Sequence, residues 1–446
     1  MSLRPLLVST VMAAVVAAAC TVDGSVSDDE PAVAPVIDDE DQAPDTALTG
    51  ARLEVVGVPT RSEQEAIRAV IDAEVNEPFG ADVTYTGSGG FEQEIQERIA
   101  TGDPPDVALY PQPGAVIEQA AAGNLVALED LGFDIAALEE TFGADLLRLG
   151  AYDGRHYGLP TNVSLKSLVW YHLPTFEERG YEVPETWEEL LALSERIVAD
   201  GGTPWCIGSG ADGATGWVIT DWLEDIVLRD AGVEVYDRWV RGEVPFDDPA
   251  ILAAAQRLAQ ITHTDGFVLG GTDAIPDIDY RDAPGPLFDD PPGCLLHRQA
   301  SFIVSFFPHG VIGTDIEVFP FPAIGGDDGA LIAGELAVAF SDRPEVGAFL
   351  EVFSGRDAQC AQGSFAGVSR ISPNMDTSAD CYDDPVVALS AETVLSALEQ
   401  GTARFDASDL MPSAVGAGTF WSGMNDWMRG AELEEVLTEI ADSWPE

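Results

Sequence analysis

Residues 52–110 read "RLEVVGVPTRSEQEAIRAVIDAEVNEPFGADVTYTGSGGFEQEIQERIATGDPPDVALY" and alternate between two kinds of pattern. Three short segments, RLEVVGV (52–58), ADVTYTG (81–87) and DVALY (106–110), are rich in apolar and β-branched residues. Such runs, bounded by Gly, Pro or Asp, are typical of β-strands. We therefore predict three strands in this stretch.

The segments between these strands predict helices. Ser62 and Glu65 have the spacing of a capping box, which predicts a helix that continues to about Asn76 and ends at Pro78. FEQEIQERIATG (91–102) predicts a second helix, ended by its glycine. Strand, helix, strand, helix, strand is the opening of a doubly wound α/β sheet.

A doubly wound sheet also predicts where a ligand binds. In such sheets ligands lie beyond the carboxyl ends of the strands. The loops that follow the three strands are Pro59–Arg61, Gly87–Gly90 and Tyr110–Gly114. We expect these loops to face a ligand.

The rest of the chain is richer in helical patterns. Thr186 and Glu189 predict a capping box for a helix that Gly201 ends, and residues 216–232, 248–266 and the tail from about 386 also read as helices. Strands are predicted at about 166–172, 204–208, 301–306, 316–320 and 335–340. The sequence contains no GxGxxG, P-loop, GxSxG or HExxH motif, so it shows none of these catalytic signatures.

The charge of the chain excludes several partners. Of its 446 residues, 78 are acidic and 21 basic, which gives a formal charge of −57. A surface this negative repels phosphate, so nucleic acid is not expected as a partner, nor is direct binding to an anionic membrane. Lys166 is the one lysine in the sequence and precedes an apolar run ending in Trp170 and Tyr171.

The first twenty residues have the pattern of an export signal. Arg4 precedes an apolar run that is too short to span a bilayer, and small residues then lead to Cys20. The ending AAAC, followed by polar residues, resembles the bacterial lipoprotein processing site, in which the cysteine is lipidated. Plain secretion and an uncleaved anchor remain the alternatives. Residues 21–51 are acidic and poor in apolar side chains, which predicts a disordered tether.

The five cysteines are an odd number for an exported protein. If Cys20 carries lipid, four remain, and an oxidising compartment favours pairing them. We predict the pairs Cys206–Cys294 and Cys360–Cys381, with free buried thiols as the alternative. A zinc site is poorly supported, because the sequence has no CxxC and no closely paired Cys and His.

Aromatic residues stand beside polar groups in several segments. Aromatic faces pack against the C–H faces of sugars, while carboxylates and amides bond the hydroxyls. Aromatic residues are also ordinary core residues, so the pattern alone leaves both readings open. The segments are LVWYH (168–172), GTPWC (202–206), ATGWVITDWLED (214–225), IVSFFPHG (303–310) and GTFWSGMNDW (418–427).

Six stretches together resemble a known family, the extracellular sugar-binding proteins of ABC importers. The likeness is greatest to the binders of maltose and other α-glucosides, and it extends over nearly all of residues 52–446. The stretches are TGDPPDVALYPQPG (101–114), YDGRHYGLPTNVSLKSLVWYH (152–172), PETWEELLALSERIVADGGTPWCIG (184–208), GCLLHRQASFIVSFF (293–307), GELAVAFSDRPEVGAFLEVF (334–353) and AVGAGTFWSGMNDWMRG (414–430).

The resemblance implies a two-lobed α/β fold, with a doubly wound sheet flanked by helices in each lobe and sugar held between the lobes. Three chain crossings are expected near Val163–Ser167, Ser301–Phe306 and Gly355–Cys360. The N-terminal lobe would then comprise 52–162 and 307–355, and the C-terminal lobe 168–300 and 360–446.

The resemblance and the residue types together nominate a set of sugar-binding residues. Trp421 matches the family position where an aromatic ring stacks on a sugar. Trp217 and Asp221 lie four apart on one helix face, so we expect the first to stack and the second to accept hydroxyl protons. Lys166 offers three donors beside the cleft, with a solvated strand-end lysine as the alternative. The other candidates are Ser88, Tyr110, Gln112, Phe306, Phe307, Gly334 and Glu335, whereas His297 is expected to be structural.

The implied activity is capture of a sugar without catalysis or a cofactor, and delivery to the permease subunits of an importer. The predicted state is a lipid-anchored monomer on the extracellular face of the bacterial cell membrane or in the periplasm. The main alternative is a secreted glycoside hydrolase, which needs two carboxylates across the scissile bond, about 5 Å apart in a retaining enzyme or roughly 6.5–9.5 Å apart in an inverting one. Asp221 and Asp225 could be such a pair. An importer component for an anion or a metal ion and an adhesion protein are further alternatives.

Overall fold

The structure is a computed structural model that describes residues 46–308, 311–325, 329–365 and 367–445. The predicted signal peptide, the lipidation site Cys20 and the predicted tether as far as residue 45 lie outside these residues. The end of that predicted tether needs correction. Leu48 is fully buried in the core formed by the first strands, so the packed body begins before residue 52.

The described strands alternate with helices along the chain. The strands are β1 (Arg52–Gly57), β2 (Asp82–Gly87), β3 (Val107–Tyr110), β4 (Ala151–Tyr152), β5 (Arg155–His156), β6 (Gly158–Leu165), β7 (Leu168–His172), β8 (Leu296–Arg298), β9 (Ile316–Pro320), β10 (Ala330–Ala339) and β11 (Ala403–Phe405).

The helices before residue 300 are α1 (Arg61–Ile71), α2 (Glu77–Phe79), α3 (Phe91–Thr101), α4 (Pro113–Ala121), α5 (Ile135–Phe142), α6 (Ala144–Arg148), α7 (Leu173–Arg179), α8 (Trp187–Ala199), α9 (Trp217–Asp230), α10 (Val233–Val240) and α11 (Pro249–Thr262). Those after it are α12 (Pro344–Ser354), α13 (Arg356–Gly363), α14 (Pro385–Gln400), α15 (Ala407–Leu410), α16 (Trp421–Met428) and α17 (Leu433–Ala441). None of the described helices is long and apolar enough to cross a membrane.

The first sheet has the strand order β11-β10-β3-β1-β2, and β6 also pairs with β10. Strands β2, β1 and β3 are parallel, as the alternation of strands and helices predicted. β10 runs antiparallel to both β3 and β6. Parallel strands need helical crossovers, and α1 and α3 supply them here. The three loops after β1, β2 and β3 therefore meet at one edge of the sheet.

The second sheet is small and has the order β8-β7-β9, with both pairings antiparallel. The two-lobed α/β fold class is confirmed, but this lobe has an antiparallel sheet where a doubly wound one was predicted. The central strand β7 pairs on both sides with strands from much later in the chain, and local sequence pattern does not determine such pairings. Helices α8, α9 and α11 and the C-terminal helices enclose the large apolar core of this lobe.

The predicted lobe boundaries differ from the structure in two places. Residues 316–320 were assigned to the first lobe, but β9 pairs with β7, and Phe319 contacts Tyr171 at a ring distance of 5.7 Å. The segment 360–446 was assigned to the second lobe, but α13 packs against α1, and β11 pairs with β10 in the first sheet. Both errors concern long-range pairings, which local pattern does not determine.

The structure confirms one predicted helix cap and differs from several other local predictions. Thr186 and Glu189 form the predicted capping box. Ser62 does not cap α1, because the helix begins at Arg61 with Thr60 at its N-cap, and Pro78 lies within α2 instead of ending the helix. Residues 301–306 form a 3₁₀ helix rather than a strand, and Trp205 makes only isolated bridges.

Both predicted disulfides are confirmed. Cys206 pairs with Cys294 and Cys360 pairs with Cys381, with Cα–Cα distances of 5.6 and 4.8 Å. The first bond joins the segment after α8 to the segment before β8. It therefore ties together two parts of the second lobe that are 88 residues apart in sequence.

Candidate ligand cleft

A cavity lies between the two lobes, at the edge where the first sheet's parallel strands end. The loops after β1, β2 and β3 line it through Pro59, Thr60, Gly89, Pro111 and Gln112. This is the position that the strand order predicted. The other lining residues are Val58, Glu63, Glu92, Asn162, Ser164, Lys166, Ala211, Ala214, Trp217, Tyr280, Arg281, Phe302, Phe306, Ala333, Gly334, Glu335, Asp409 and Trp421.

Aromatic rings form much of the wall contributed by the second lobe. The ring of Trp217, the first residue of α9, lies 5.0 Å from Tyr280 and 5.9 Å from Phe302. Tyr280 in turn lies 5.6 Å from Phe306. Trp421, the first residue of α16, belongs to the same small apolar cluster as Trp217. The cavity therefore presents several flat apolar faces beside polar groups, which suits a ligand with both kinds of surface.

Gly216 allows the two tryptophan segments to approach closely. Its φ is +122°, and a Cβ atom there would lie 2.3 Å from the carbonyl oxygen of Trp421. Only glycine tolerates that backbone conformation and that distance. The indole Nε1 of Trp421 donates a hydrogen bond of 3.1 Å to the Ser408 hydroxyl, which fixes the ring's orientation.

Lys166 lies beneath the aromatic wall, in the short link between β6 and β7. It is 5% exposed, so its ammonium is almost fully removed from water. Nζ donates to Asp221 Oδ1 at 2.8 Å and to Asp406 Oδ2, and lies 5.2 Å from the Trp217 ring centroid. The alternative of a solvated strand-end lysine is therefore wrong, because this lysine is a buried ion-pair partner.

Burial and mutual attraction shift the pKa values of Lys166, Asp221 and Asp406. Burial alone would lower the pKa of Lys166, but the attraction of Asp221 and Asp406 outweighs it and raises that pKa. Burial raises the pKa of Asp221 to about 7. The pKa of Asp406 is lowered despite its burial, because Lys166 attracts its charge and Asp221 and Ser408 bond to it. A lysine that stays charged thus holds two carboxyl groups from distant parts of the chain.

A second layer of charge supports the first. Asp225, one turn after Asp221 on α9, accepts hydrogen bonds from Ser167 (2.8 Å) and Arg298 (2.8 Å) and pairs with Arg229. Glu224 accepts backbone N–H bonds from residues 407 and 408 at the start of α15. The link between β6 and β7, α9, β8 and the start of α15 are therefore joined by buried charges, and these elements carry the cavity wall.

The carboxyl groups of Asp221, Glu224 and Asp406 lie within 4.8 Å of one another, a spacing that could hold a metal ion. The Lys166 ammonium already bonds two of the three. A buried cation is thus supplied by the protein itself, and we assign no metal to this cluster.

The first lobe contributes polar groups to the opposite wall. Glu335 on β10 forms a two-point pair with Arg370, with distances of 3.2 and 2.6 Å. Gln112 donates to Glu92 at 3.3 Å. Glu63 on α1 is 9% exposed, and its burial raises its pKa to about 8.

The lobes also touch around the cavity's mouth. On one side, the Arg61 guanidinium at the start of α1 lies 4.9 Å from the Phe306 ring. On the other side, Glu118 on α4 accepts bonds of 2.8 and 2.7 Å from the N–H and hydroxyl of Ser413. The structure therefore has the two lobes in contact on both sides of the cleft.

Seven of the eleven residues predicted to bind sugar line this cavity. They are Gln112, Lys166, Trp217, Phe306, Gly334, Glu335 and Trp421.

The other four predicted residues lie outside the lining. Asp221 is fully buried below it, bonded to Lys166. Phe307 packs into an apolar core against Trp170, with ring centroids 5.1 Å apart. Tyr110 is buried against Phe91, and Ser88 bonds to Glu94 at 2.8 Å.

Asp221 and Asp225 cannot serve as the carboxylate pair of a glycoside hydrolase in this arrangement. Both are fully buried and bonded to cationic side chains, and neither lines the cavity. His297 has a structural environment as expected, because its Nδ1 lies 2.9 Å from the Cys206 carbonyl oxygen and its ring is buried. Burial lowers the pKa of His297 to about 4.

Several residues that line the cavity were not predicted from the sequence, among them Glu63, Glu92, Tyr280, Phe302 and Asp409. Glu63 and Glu92 lie in the first turns of α1 and α3, directly after two of the predicted ligand loops. Extending the predicted loops into the first turn of each helix would have included both residues. Tyr280 and Phe302 stand in irregular segments, and no pattern in the sequence distinguishes them.

A cleft between two α/β lobes, with aromatic faces and hydrogen-bonding groups from both, defines the class of two-lobed solute-binding proteins. Residues 59–274 match the family model described as "Bacterial extracellular solute-binding protein". The chain is 40% identical over 410 residues to the alpha-glucosides-binding periplasmic protein AglE of Rhizobium meliloti, covering 89% of this chain and 88% of the relative.

A second relative, the osmoprotective compounds-binding protein GgtB of Synechocystis, is 39% identical over 396 residues, covering 88% of this chain and 92% of the relative. The chain therefore belongs to the bacterial extracellular solute-binding proteins, which bind solutes and are not enzymes.

Solved structures agree with this fold. The bacterial solute receptor AcbH, described with a preference for β-D-galactopyranose, matches with a TM-score of 0.72 at 17% identity over 88% of this chain and 98% of its own. A maltose-bound MalE3 of T. maritima matches with a TM-score of 0.66 at 17% identity over the same shares. At this identity the likeness concerns the fold.

Replacing Lys166 with Met should lower the free energy of unfolding by about 3–5 kcal/mol, because Asp221 and Asp406 would remain buried without a cation. In the variant the pKa values of these carboxyls in the folded state lie above their values in the unfolded chain. The loss is therefore full at pH 7 and shrinks as the pH falls toward about 4. Urea unfolding at pH 7 and at about pH 4 measures this loss in the free energy of unfolding.

The control for this variant is Arg52→Met, which removes an exposed cation 3.6 Å from Asp82. An exposed pair of this kind contributes under about 1 kcal/mol. A Lys166→Met variant no less stable than Arg52→Met would show that the buried ion pairs do not hold the cleft together.

Proposed function

We propose that this protein captures a neutral α-glucoside, or a related short oligosaccharide, in the cleft and delivers it to the membrane permease of an ABC importer. Support comes from AglE, a relative named for α-glucosides, and from GgtB, named for osmoprotective compounds. The observation that carries the proposal is that Trp217 and Trp421 line one cavity together with polar groups of both lobes.

The charges of the lining favour an uncharged ligand over an anion. Lys166 is engaged by Asp221 and Asp406, and Arg281 by Asp279 and Asp212 at 2.5 and 3.2 Å. These are the cationic residues among the described lining residues. With both cations already paired, an anionic ligand has no free partner in the cleft.

Binding is explained by closure of the lobes around the sugar. A ligand that contacts both lobes binds the closed form more tightly and shifts the population toward it. The link at Lys166 joins β6 of the first sheet to β7 of the second, and it provides a place where the chain can bend. The closed form then docks on the permease.

The experiment is a thermal-shift screen with glucose, maltose, trehalose and maltotriose, with glutamate and glycine as controls that are not sugars. A ligand that binds the native state raises the melting temperature. The Trp421→Ala variant should then weaken the best sugar by about 2–3 kcal/mol in calorimetry, because a stacked aromatic ring is an anchor of this size.

Trp444→Ala is the matched control, since that indole packs over Gly242 and does not line the cavity. It should bind sugar like the unmodified protein. The proposal fails if no sugar raises the melting temperature. Trp421 is excluded from the site if its replacement costs less than about 0.5 kcal/mol.

We further propose that Cys20 is lipidated and holds the protein, as a monomer, on the outer face of the cell membrane. The basis is the AAAC ending of the leader and the family's extracellular location. A Cys20→Ser variant should appear in the culture medium, whereas the unmodified protein should partition into detergent. Equal release of both forms would contradict the anchor.

A further inference from the structure

Three acidic side chains that line the cleft make no salt bridge with any of the described residues. Glu63 and Asp409 are 9% and 7% exposed, and neither makes a salt bridge or a side-chain hydrogen bond among the described residues. Glu92 accepts hydrogen bonds from Gln112 and from its own backbone N–H, and it makes no salt bridge within the described part of the chain. All three line the cavity.

Among the described residues, the lack of a salt bridge distinguishes Glu63, Glu92 and Asp409 from other acidic groups in and around the cleft. Glu335 is paired with Arg370, and Asp221 and Asp406 share Lys166. Burying a carboxylate without compensation is costly, so buried carboxylates are normally paired or hydrogen-bonded. The acidic groups without a salt bridge are therefore ones that line the cavity.

The three groups come from both lobes. Glu63 and Glu92 stand on α1 and α3 of the first lobe, and Asp409 stands on α15 of the second. Glu92 and Asp409 are close enough to repel each other across the cleft. Hydrogen-bond donors of a ligand between these walls would relieve this repulsion.

We propose that Glu63, Glu92 and Asp409 determine specificity by accepting hydroxyl protons of a neutral sugar from both lobes and by rejecting sugars that carry a carboxylate or a phosphate. The proposal rests on the function proposed above and narrows its ligand class. A hydroxyl donates a proton to a carboxylate, whereas an ionised acid brings a second negative charge into a poorly solvated space.

The proposal also predicts that the affinity for an anionic sugar depends on pH. Burial raises the pKa of Glu63 to about 8, and it also raises the pKa of Glu92 and of Asp409. An anionic sugar can enter only if these groups keep their protons, so its affinity should fall as the pH rises. The neighbouring charged and titratable groups differ for each of the three. Around Glu63 they are Arg370, Glu335 and Tyr85, and around Asp409 they are Lys166, Asp406 and Asp221. Around Glu92 the neighbours are Glu94 and Gln112.

The test compares two ligands by calorimetry at pH 9: the best neutral α-glucoside of the screen and its counterpart with a carboxylate at C6. We expect the acidic sugar to bind on the order of 100-fold more weakly, from the repulsion of close charges at intermediate dielectric. At pH 6 the difference should shrink at least about tenfold.

The double variant E63Q/D409N should change the affinities for the neutral and the acidic sugar in opposite directions. It should bind the neutral sugar about tenfold more weakly, since amides accept hydrogen bonds less strongly than carboxylates do, and bind the acidic sugar more tightly than the unmodified protein does. General damage to the fold would weaken both. E97Q removes an exposed charge from the same helix as Glu92 and should change neither affinity by more than about twofold.

The inference is overturned if the unmodified protein binds both sugars within about threefold at pH 9, or if the double variant weakens both alike. Should the double variant fail to fold, the pH profile of the unmodified protein decides, and a flat profile for the acidic sugar contradicts the proposal. If no neutral sugar binds at all, the function proposed above fails instead.

Discussion

One buried ammonium group determines the position of the cleft's aromatic wall. Lys166 bonds Asp221 on the helix that Trp217 begins, and Asp406 at the start of α15. Ser408, two residues on, bonds Asp406 and holds the indole of Trp421. A lysine suits this place better than an arginine, because its charge is compact and two carboxylates converge on it. This gives a physical reason for a single lysine in a chain whose other basic residues are arginines.

Local chemistry in the sequence was enough to predict the position of the cleft. The strands that begin at Arg52, Asp82 and Val107 are parallel because helices connect them, so the loops that follow had to meet. Parity and compartment predicted that four cysteines pair, and both proposed pairs are present. The residues predicted as sugar ligands that line the cavity include both Trp217 and Trp421.

The remaining features depend on contacts between distant parts of the chain. Asp221 was expected beside Trp217 at the ligand because the two are four residues apart, yet its carboxyl turns beneath the wall toward Lys166. β9 was assigned to the wrong lobe because its pairing with β7 spans about 150 residues. Tyr280 lines the cleft from a loop with no regular pattern, so only the folded structure brings it there.

The most direct test of where the ligand lies is a crystal structure with the best-binding neutral sugar. We expect a sugar ring against the indole of Trp217 or Trp421, with hydroxyl groups within hydrogen-bond distance of polar groups from both lobes. A sugar bound outside this cavity, or one that contacts a single lobe and neither indole, would contradict the proposed capture between the lobes.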